Sequence, residues 1–285
     1  MFKRILIYFF FFAILFQYSS NAQKFKSREA YGELLEKMSN YAIFIKTYPN
    51  LKRGTGVIFD IDTTADYSGY TLITNKHLFK GADSIDLIIQ LTNDEKMAVD
   101  TITKTYHLYS DSKDSLFVVH DSLDIVALYI DMIKAPNQKK DLKLFSIKPH
   151  NIINFNDIHL GQSVIFFGYP MGIKLNGYRP LLRKGIVAGC DKQPQIKGFE
   201  SIIYLDAQVY GGSSGSPVFL DPDYDIIGVK YFIGIVAASI DIRKYELSNI
   251  DHSELFYFQE NIGIGIIMPI EKIVSIAERA KAIIR

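Results

Sequence analysis

The sequence predicts an all-β protein built as two β-rich halves behind an N-terminal leader. Three observations point there. Short runs of β-branched and aromatic residues recur along the chain, separated by Asp, Ser, Gly and Asn clusters. The runs fall into two sets on either side of a polar stretch that contains Pro136 and Pro149. No helical pattern alternates with them, which argues against a parallel βαβ sheet.

The elements follow in chain order. Lys3 and Arg4 precede an unbroken apolar run from Ile5 to Phe16, and Ser20-Asn21-Ala22 then places small residues before Gln23. A positive end, a short apolar core and small residues are the marks of a secretory signal peptide over 1–22. As a helix the run is shorter than the roughly 30 Å hydrocarbon core, and a retained membrane anchor is the other reading of the segment. No Cys follows the cleavage point, which argues against a lipid-modified N-terminus. Residues 23–40 form an N-terminal helical segment. Its helix runs from Ser27 to Met38, with Ser27 as cap and Tyr31, Leu34, Leu35 and Met38 on one face. The first β unit, 41–133, holds strands at Tyr41–Thr47, Gly56–Asp60, Tyr70–Thr74, Ile85–Gln90, Val99–Tyr106, Leu116–Val119 and Asp124–Asp131. Residues 134–156 read as a linker. The second unit, 157–268, holds strands at Ser163–Gly168, Leu182–Gly189, Ser201–Asp206, Pro217–Leu220, Ile226–Val229, Ile233–Ile240 and Ile262–Met268. A closing helix occupies 269–285, with Pro269 in its first turn and Ile273, Ile276, Ala277 and Ala280 on its apolar face.

Composition excludes several classes. With 285 residues, 48% hydrophobic and 22% charged, the chain is neither low-complexity nor disordered. One cysteine rules out an internal disulfide framework and a zinc site of several thiolates. That residue, Cys190, follows Val187-Ala188-Gly189 in an expected strand and reads as a buried small hydrophobe. The net charge of +1 turns to −1 once Lys3 and Arg4 leave with the leader. No nucleic-acid partner is expected, and no membrane partner after signal removal. No H-E-x-x-H or EF-hand pattern occurs, so neither a metal nor another cofactor is expected. Asp221-Pro222-Asp223-Tyr224-Asp225 reads as a hairpin turn before it reads as a calcium loop.

The chemistry concentrates at Gly211-Gly212-Ser213-Ser214-Gly215-Ser216-Pro217-Val218-Phe219. Glycines around a serine, ahead of a strand, can expose the hydroxyl and turn backbone N–H groups into one site. A Gly/Ser hairpin loop is the plain reading of the same residues. A serine nucleophile needs a base, and the base an orienting acid. Among six histidines, His77 follows the strand-like Tyr70-Thr71-Leu72-Ile73-Thr74 and the polar Asn75-Lys76. Asp124 opens the apolar run Ile125-Val126-Ala127-Leu128, where a carboxylate is either paired or a turn cap. His107 and His120 also precede Asp124 but lack that strand-end context, and His120 reads as a structural or rim residue.

The order His77, Asp124, Ser214 and five local words together resemble the trypsin-like, chymotrypsin-fold serine proteases of bacteria. Gly54-Thr55-Gly56-Val57-Ile58-Phe59 with Leu72-Ile73-Thr74-Asn75-Lys76-His77 is similar to their histidine block. Asp124-Ile125-Val126-Ala127-Leu128 is similar to their aspartate block. Gly161 to Pro170 resembles the block "G-d-x-V-x-x-x-G-y-P". Gly212 to Phe219 resembles the serine block of glutamyl endopeptidase-like enzymes. Gly263-Ile264-Gly265-Ile266-Ile267-Met268-Pro269 resembles the block before the closing helix. The likeness spans roughly residues 40 to 284.

The resemblance implies two six-stranded β-barrels with the site between them, and a secreted serine endopeptidase acting through an acyl-enzyme. Ser214 would be the nucleophile, His77 the base and then the acid, and Asp124 the orienting acid. The N–H groups of Gly212 and Ser214 would form the oxyanion hole. Ile235-Val236-Ala237-Ala238-Ser239 would pair with an extended polypeptide substrate, and Gln208 and Val209 would line the first specificity pocket. Departures refine this. Ser213 stands where digestive enzymes carry the aspartate that receives a newly cut N-terminus, so that zymogen switch is not expected, and any latency falls to residues 23–40 as a pro-segment. Val209 and Val236 stand where glutamate-selective relatives carry threonine and histidine, which favours a small or apolar side chain over glutamate. The chain closes at Arg285, which implies a protease of the high-temperature-requirement type without its peptide-binding domain. Two competing readings stay open. One is a catalytically silent binding module. The other is an α/β-hydrolase with Ser213 as nucleophile in G-x-S-x-G.

Overall fold

The computed structural model describes residues 28–60, 70–92, 98–108, 117–130, 143–194, 196, 200–222, 231–247, 254–269, 271, 273, 274 and 276. The leader, the Ser27 cap, the strand expected at Ile226–Val229 and most of the closing helix lie outside them. Helix α1 covers residues 28–39 and belongs to a unit of its own by compactness, Met1–Met38, apart from Ser39–Arg285.

The larger unit holds two antiparallel sheets, as the alternation of apolar runs and turn residues predicts. The first contains β1 (Ala42–Tyr48), β2 (Arg53–Asp60), β3 (Tyr70–Thr74), β4 (Ser84–Thr92), β5 (Ala98–His107), β6 (Phe117–Val119), β7 (Val126–Ile130) and β8 (Lys143–Leu144). A four-residue helix, α2 (Lys76–Phe79), follows β3. The strands lie in the order β5-β4-β1-β2-β3-β7-β6, with β8 added against β4. This sheet therefore counts eight strands rather than six. β8 is an extra that comes from the expected linker.

The second sheet is a closed barrel of six: β9 (Ser163–Gly168), β10 (Leu181–Asp191), β11 (Ile202–Asp206), β12 (Pro217–Leu220), β13 (Phe232–Leu247) and β14 (Glu254–Pro269). Each half buries its own apolar cluster. Ile45, Ile58, Leu72, Leu87 and Leu128 fill the first, and Val164, Phe166, Val187, Leu205 and Ile267 the second.

Four expectations are corrected. The linker is no simple tether, because residues 143–156 are folded onto both halves: Ile147 bridges Phe59 of β2 and Ile152 bridges Phe232 of β13. Its isoleucines have no helical or alternating period, yet Ile147 is fully buried. Asp124 does not open a strand; it sits in the bend before β7. Pro269 ends β14, paired with Gly234, instead of opening the closing helix, and helical residues begin again at position 271. Cys190 is exposed, not buried, because β10 buries one face only and places this residue on the other. Burial of part of the residue still pushes its thiol pKa up.

An aromatic layer joins the halves. Phe59 of β2 meets Phe232 of β13 at 5.5 Å between ring centres, edge to face. Phe44 of β1 lies 4.8 Å from Tyr169. Tyr41 stacks near Phe219 at 5.3 Å, and its hydroxyl bonds that of Tyr231 at 2.7 Å. Burial, reinforced by that partner, holds the Tyr41 phenol far above its usual range.

Candidate active site

His77 lies in α2, directly after strand β3. Its placement follows from the sequence: Thr74 ends an apolar strand, and Asn75 is the residue ahead of the helix. The bend that carries Asp124 meets this turn at four points. His77 Nδ1 and Asp124 Oδ2 are 2.7 Å apart, and the His77 backbone N–H donates to Asp124 Oδ1 at 2.9 Å. The Asp124 carbonyl accepts from Asn75 Nδ2 at 3.0 Å and from the Lys76 N–H at 3.3 Å. Both carboxylate oxygens are thus engaged by one residue, which fixes the imidazole with Nδ1 toward the acid and Nε2 away from it. The histidine side chain stays 46% exposed.

His120 takes the structural place expected of it. Its Nδ1 accepts from the N–H groups of Ser122 at 3.3 Å and Leu123 at 3.1 Å, which shapes the bend leading to Asp124.

Ser214 lies in the turn between residue 210 and β12. Gly212 has φ +90 and Gly215 φ +82, both in the left-handed region. A Cβ on Gly215 would stand 1.9 Å from the Thr55 carbonyl, and one on Gly212 2.4 Å from the Tyr169 carbonyl. Glycine is thus required for two reasons at each position. The turn orients its peptides by hydrogen bonding their carbonyls outward. The Met171 N–H donates to the Gly211 carbonyl at 2.5 Å, and the Ser216 N–H to the Ser213 carbonyl at 2.9 Å. In a trans peptide the N–H points opposite to the C=O. The N–H groups of Gly212 and Ser214 therefore point to the other side, and among the described residues neither donates a backbone hydrogen bond. Donors left unused beside a hydroxyl are what a developing oxyanion requires.

The two pieces meet through Thr55 of β2, which the sequence reading passed over. Its N–H donates to the Ser214 carbonyl at 2.9 Å and its Oγ1 to the Gly212 carbonyl at 3.0 Å. Oγ1 also accepts from the Tyr169 N–H at 3.2 Å, and the Thr55 carbonyl accepts from Thr74 Oγ1 at 2.6 Å. Thr74 stands three residues before His77, so one threonine ties the serine turn to the strand that delivers the histidine. The available signal was a polar residue inside an otherwise apolar buried strand. Among the described residues the Ser214 hydroxyl makes no hydrogen bond to His77. Such contacts often tighten only when substrate is bound.

The remaining expected site residues are placed as follows. Ser213, the nucleophile of the elbow reading, is 2% exposed and is followed by a strand instead of a helix, which rules that reading out. Gln208 is exposed, and Val209 and Val236 are buried in the barrel's core cluster. Val236 accepts from the Gly215 N–H at 2.8 Å and donates to the Ser216 carbonyl at 2.9 Å, so β13 braces the serine turn. Ala237 sits at a bulge against β14, and Ala238 and Ser239 continue the strand half-buried. No group of three or more metal-ligating side chains occurs among the described residues.

The family model of the trypsin-like peptidase domain matches residues 54–229, more than half of the chain. The chain belongs to the trypsin-like peptidase family. The family is one of serine endopeptidases, and its match takes in His77, Asp124 and Ser214 alike. No curated protein sequence matches this chain. Solved structures do. The HtrA-type protease AlgW with tripeptide aligns with TM-score 0.54 at 19% identity, over 87% of this chain and 64% of that one. A single-residue variant of AlgW with tripeptide gives 0.55 at 18%, over 87% and 62%. Deg5 gives 0.52 at 17%, over 87% and 92%. These likenesses establish the double-barrel fold of HtrA-type proteases. The trypsin-like chain spans less than two thirds of the AlgW structures.

Proposed function

We propose that the protein is an exported serine endopeptidase with a triad of His77, Asp124 and Ser214. The observation that carries this is the doubly anchored His77–Asp124 contact, joined through Thr55 to a serine turn with two unused N–H donors. In the mechanism, Ser214 Oγ attacks the scissile carbonyl carbon and its proton passes to His77 Nε2. Asp124 holds the ring and stabilises the imidazolium. The oxyanion is received by the N–H groups of Gly212 and Ser214. His77 then protonates the departing amine, leaving an acyl-serine. Water, deprotonated by the same histidine, releases the second product and restores the hydroxyl.

Substrate enters as an extended strand along Ala237-Ala238-Ser239, bonding main chain to main chain. The apolar Val209 and Val236 beneath the turn favour a small or apolar side chain before the scissile bond. The AlgW structures hold a tripeptide, which is in keeping with a polypeptide ligand. Export follows from the leader at 1–22, and none of the described helices is long and apolar enough to cross a membrane.

The test is Ser214→Ala. Activity on a casein or peptide-library substrate should fall by about 10⁴–10⁶, and labelling by a fluorophosphonate probe should vanish, while Ser213→Ala keeps its label. A wild-type protein that neither cleaves nor labels is a binding module instead.

A further inference from the structure

Two adjoining cavities lie between the first sheet and the segment 171–179 that connects β9 to β10. One, of about 410 Å³, is walled by Phe44, Lys46 and Tyr48 of β1, Arg53 of β2, and Lys174 and Tyr178 of the segment. The other, of about 900 Å³, shares Lys174 and adds Gln90, Asn176 and Arg179. We propose that this groove binds an acidic stretch of the polypeptide substrate, next to the bond being cut.

Charge is the first argument. Lys46 and Arg53 are direct partners across the β1–β2 ladder, so their side chains share a face. Like charges placed opposite each other destabilise a sheet. Asp86, opposite Lys46 on the β4 side, offsets part of that cost, and an anion lying between the two cations would offset the rest. Lys174 faces them, its ammonium 3.1 Å from the centre of the Tyr178 ring, which holds the charge in the groove. Arg53 lies flat against Gly172, where a Cβ would come within 2.3 Å of its Cδ. Two carboxylates also line the walls, Asp86 and Asp100, and both are already engaged. Asp86 accepts from Tyr48 at 2.8 Å and Thr105 at 2.7 Å, and Asp100 from the Thr101 N–H at 2.7 Å. Four cations against two occupied carboxylates leave the groove positive.

The second argument is an orphan acceptor. Gln90 is 2% exposed. Its Nε2 donates to the carbonyls of Gly177 at 3.3 Å and Tyr178 at 3.2 Å, which uses both amide hydrogens and fixes which atom is oxygen. Oε1 is buried and among the described residues has no partner, in a residue that walls the larger cavity. A ligand that brings an N–H completes it once the cavity wall around it shifts. A peptide supplies N–H groups from its main chain and carboxylates from Asp or Glu, which are the two things this groove lacks.

The third argument is position. Arg53 stands two residues before Thr55, whose N–H holds the Ser214 carbonyl. Gly172 follows Met171, whose N–H holds the Gly211 carbonyl. The groove therefore opens beside the nucleophile turn. The identity of the bound chain as substrate rests on the protease reading above. The binding itself does not.

The experiment uses the full chain carrying Ser214→Ala, so that nothing is cleaved. Fluorescence anisotropy follows a labelled twelve-residue peptide of alternating Glu and Ala, and its counterpart with Gln for Glu. The acidic peptide should bind at least about tenfold more tightly, with the advantage shrinking as salt is raised. Lys46→Gln, Arg53→Gln and Lys174→Gln combined should abolish the difference, with melting temperature as the control for folding. Lys174→Gln alone, on an exposed segment, should remove part of it if the triple variant does not fold. Equal binding of the two peptides, or a preference untouched by these changes, overturns the proposal. A heparin fragment or an oligonucleotide that displaces the acidic peptide and binds more tightly also overturns it. Failure of the protease reading shows separately, as absence of fluorophosphonate labelling in the wild type.

Discussion

Thr55 bonds four partners that lie far from it in sequence: Thr74, Tyr169, Gly212 and Ser214. Replacing it with valine keeps the shape and removes the hydroxyl. The Gly212 carbonyl and the Tyr169 N–H then lose their partner together, at about 1–3 kcal/mol for the buried N–H and less for the part-buried carbonyl. The peptides of the serine turn also lose a restraint. Thr55→Val should lower stability by about 2 kcal/mol and kcat by between about tenfold and a hundredfold, with KM little changed. Thr55→Ser should restore most of both. If Thr55→Val alters KM alone, the residue does not position the turn. This also marks how far the sequence can be read at a single position. His77, Asp124 and Ser214 stand out as candidates because each sits in a local word: a strand end, a buried run opened by a carboxylate, a glycine turn. Thr55 and Asn75 act through partners 157 and 49 positions away, and no local pattern encodes such distances. Cys190 shows the opposite error, since a strand residue flanked by apolar neighbours can still lie on the exposed face.

At the scale of the element, the most legible strands were those bounded by strong punctuation. Tyr70–Thr74, Ser163–Gly168 and Pro217–Leu220 have the bounds that their flanking residues predict. The hardest was β8 with the irregular stretch that follows it, whose order comes from bridges to Phe59 and Phe232 in different sheets. Between β9 and β12 a tight contact explains one glycine of the sequence. A Cβ on Gly168 would stand 2.0 Å from Ser216 Oγ and 3.2 Å from Thr55 Oγ1. Ser216 is fully buried, so it cannot swing into solvent, and among the described residues its hydroxyl has no partner. Gly168→Ala should therefore destabilise by about 1–3 kcal/mol through overpacking. Adding Ser216→Ala removes the obstructing oxygen and an orphaned polar group, and should recover most of the loss. Urea unfolding of the two variants measures this, and additive losses would show that the two residues do not share the space.

At the scale of the molecule, the candidate site exists only while both halves are held together. His77 and Asp124 hang on the first sheet, and Ser214 on the closed barrel. Polar bonds of Thr55, Gln90, Tyr41 and Tyr169 cross between them, and the aromatic layer of Phe59, Phe232, Phe219, Tyr41, Phe44 and Tyr169 adds its packing to the joint. Buried rings in contact contribute beyond their area through edge-to-face geometry. This makes the layer the place where folding and activity are coupled. Phe232 is fully buried and touches both Phe59 and Phe219. Phe232→Ala should cost about 3–5 kcal/mol. The informative measurement pairs two probes along a urea titration, fluorophosphonate labelling of Ser214 and the far-ultraviolet signal of the strands. In the wild type both should fall at one midpoint, and Phe232→Ala should move both down together. If labelling instead disappears well before the strands melt, the halves separate while each remains folded. The joint would then be weaker than its rings imply, and the geometry of the candidate site would depend on something other than this layer.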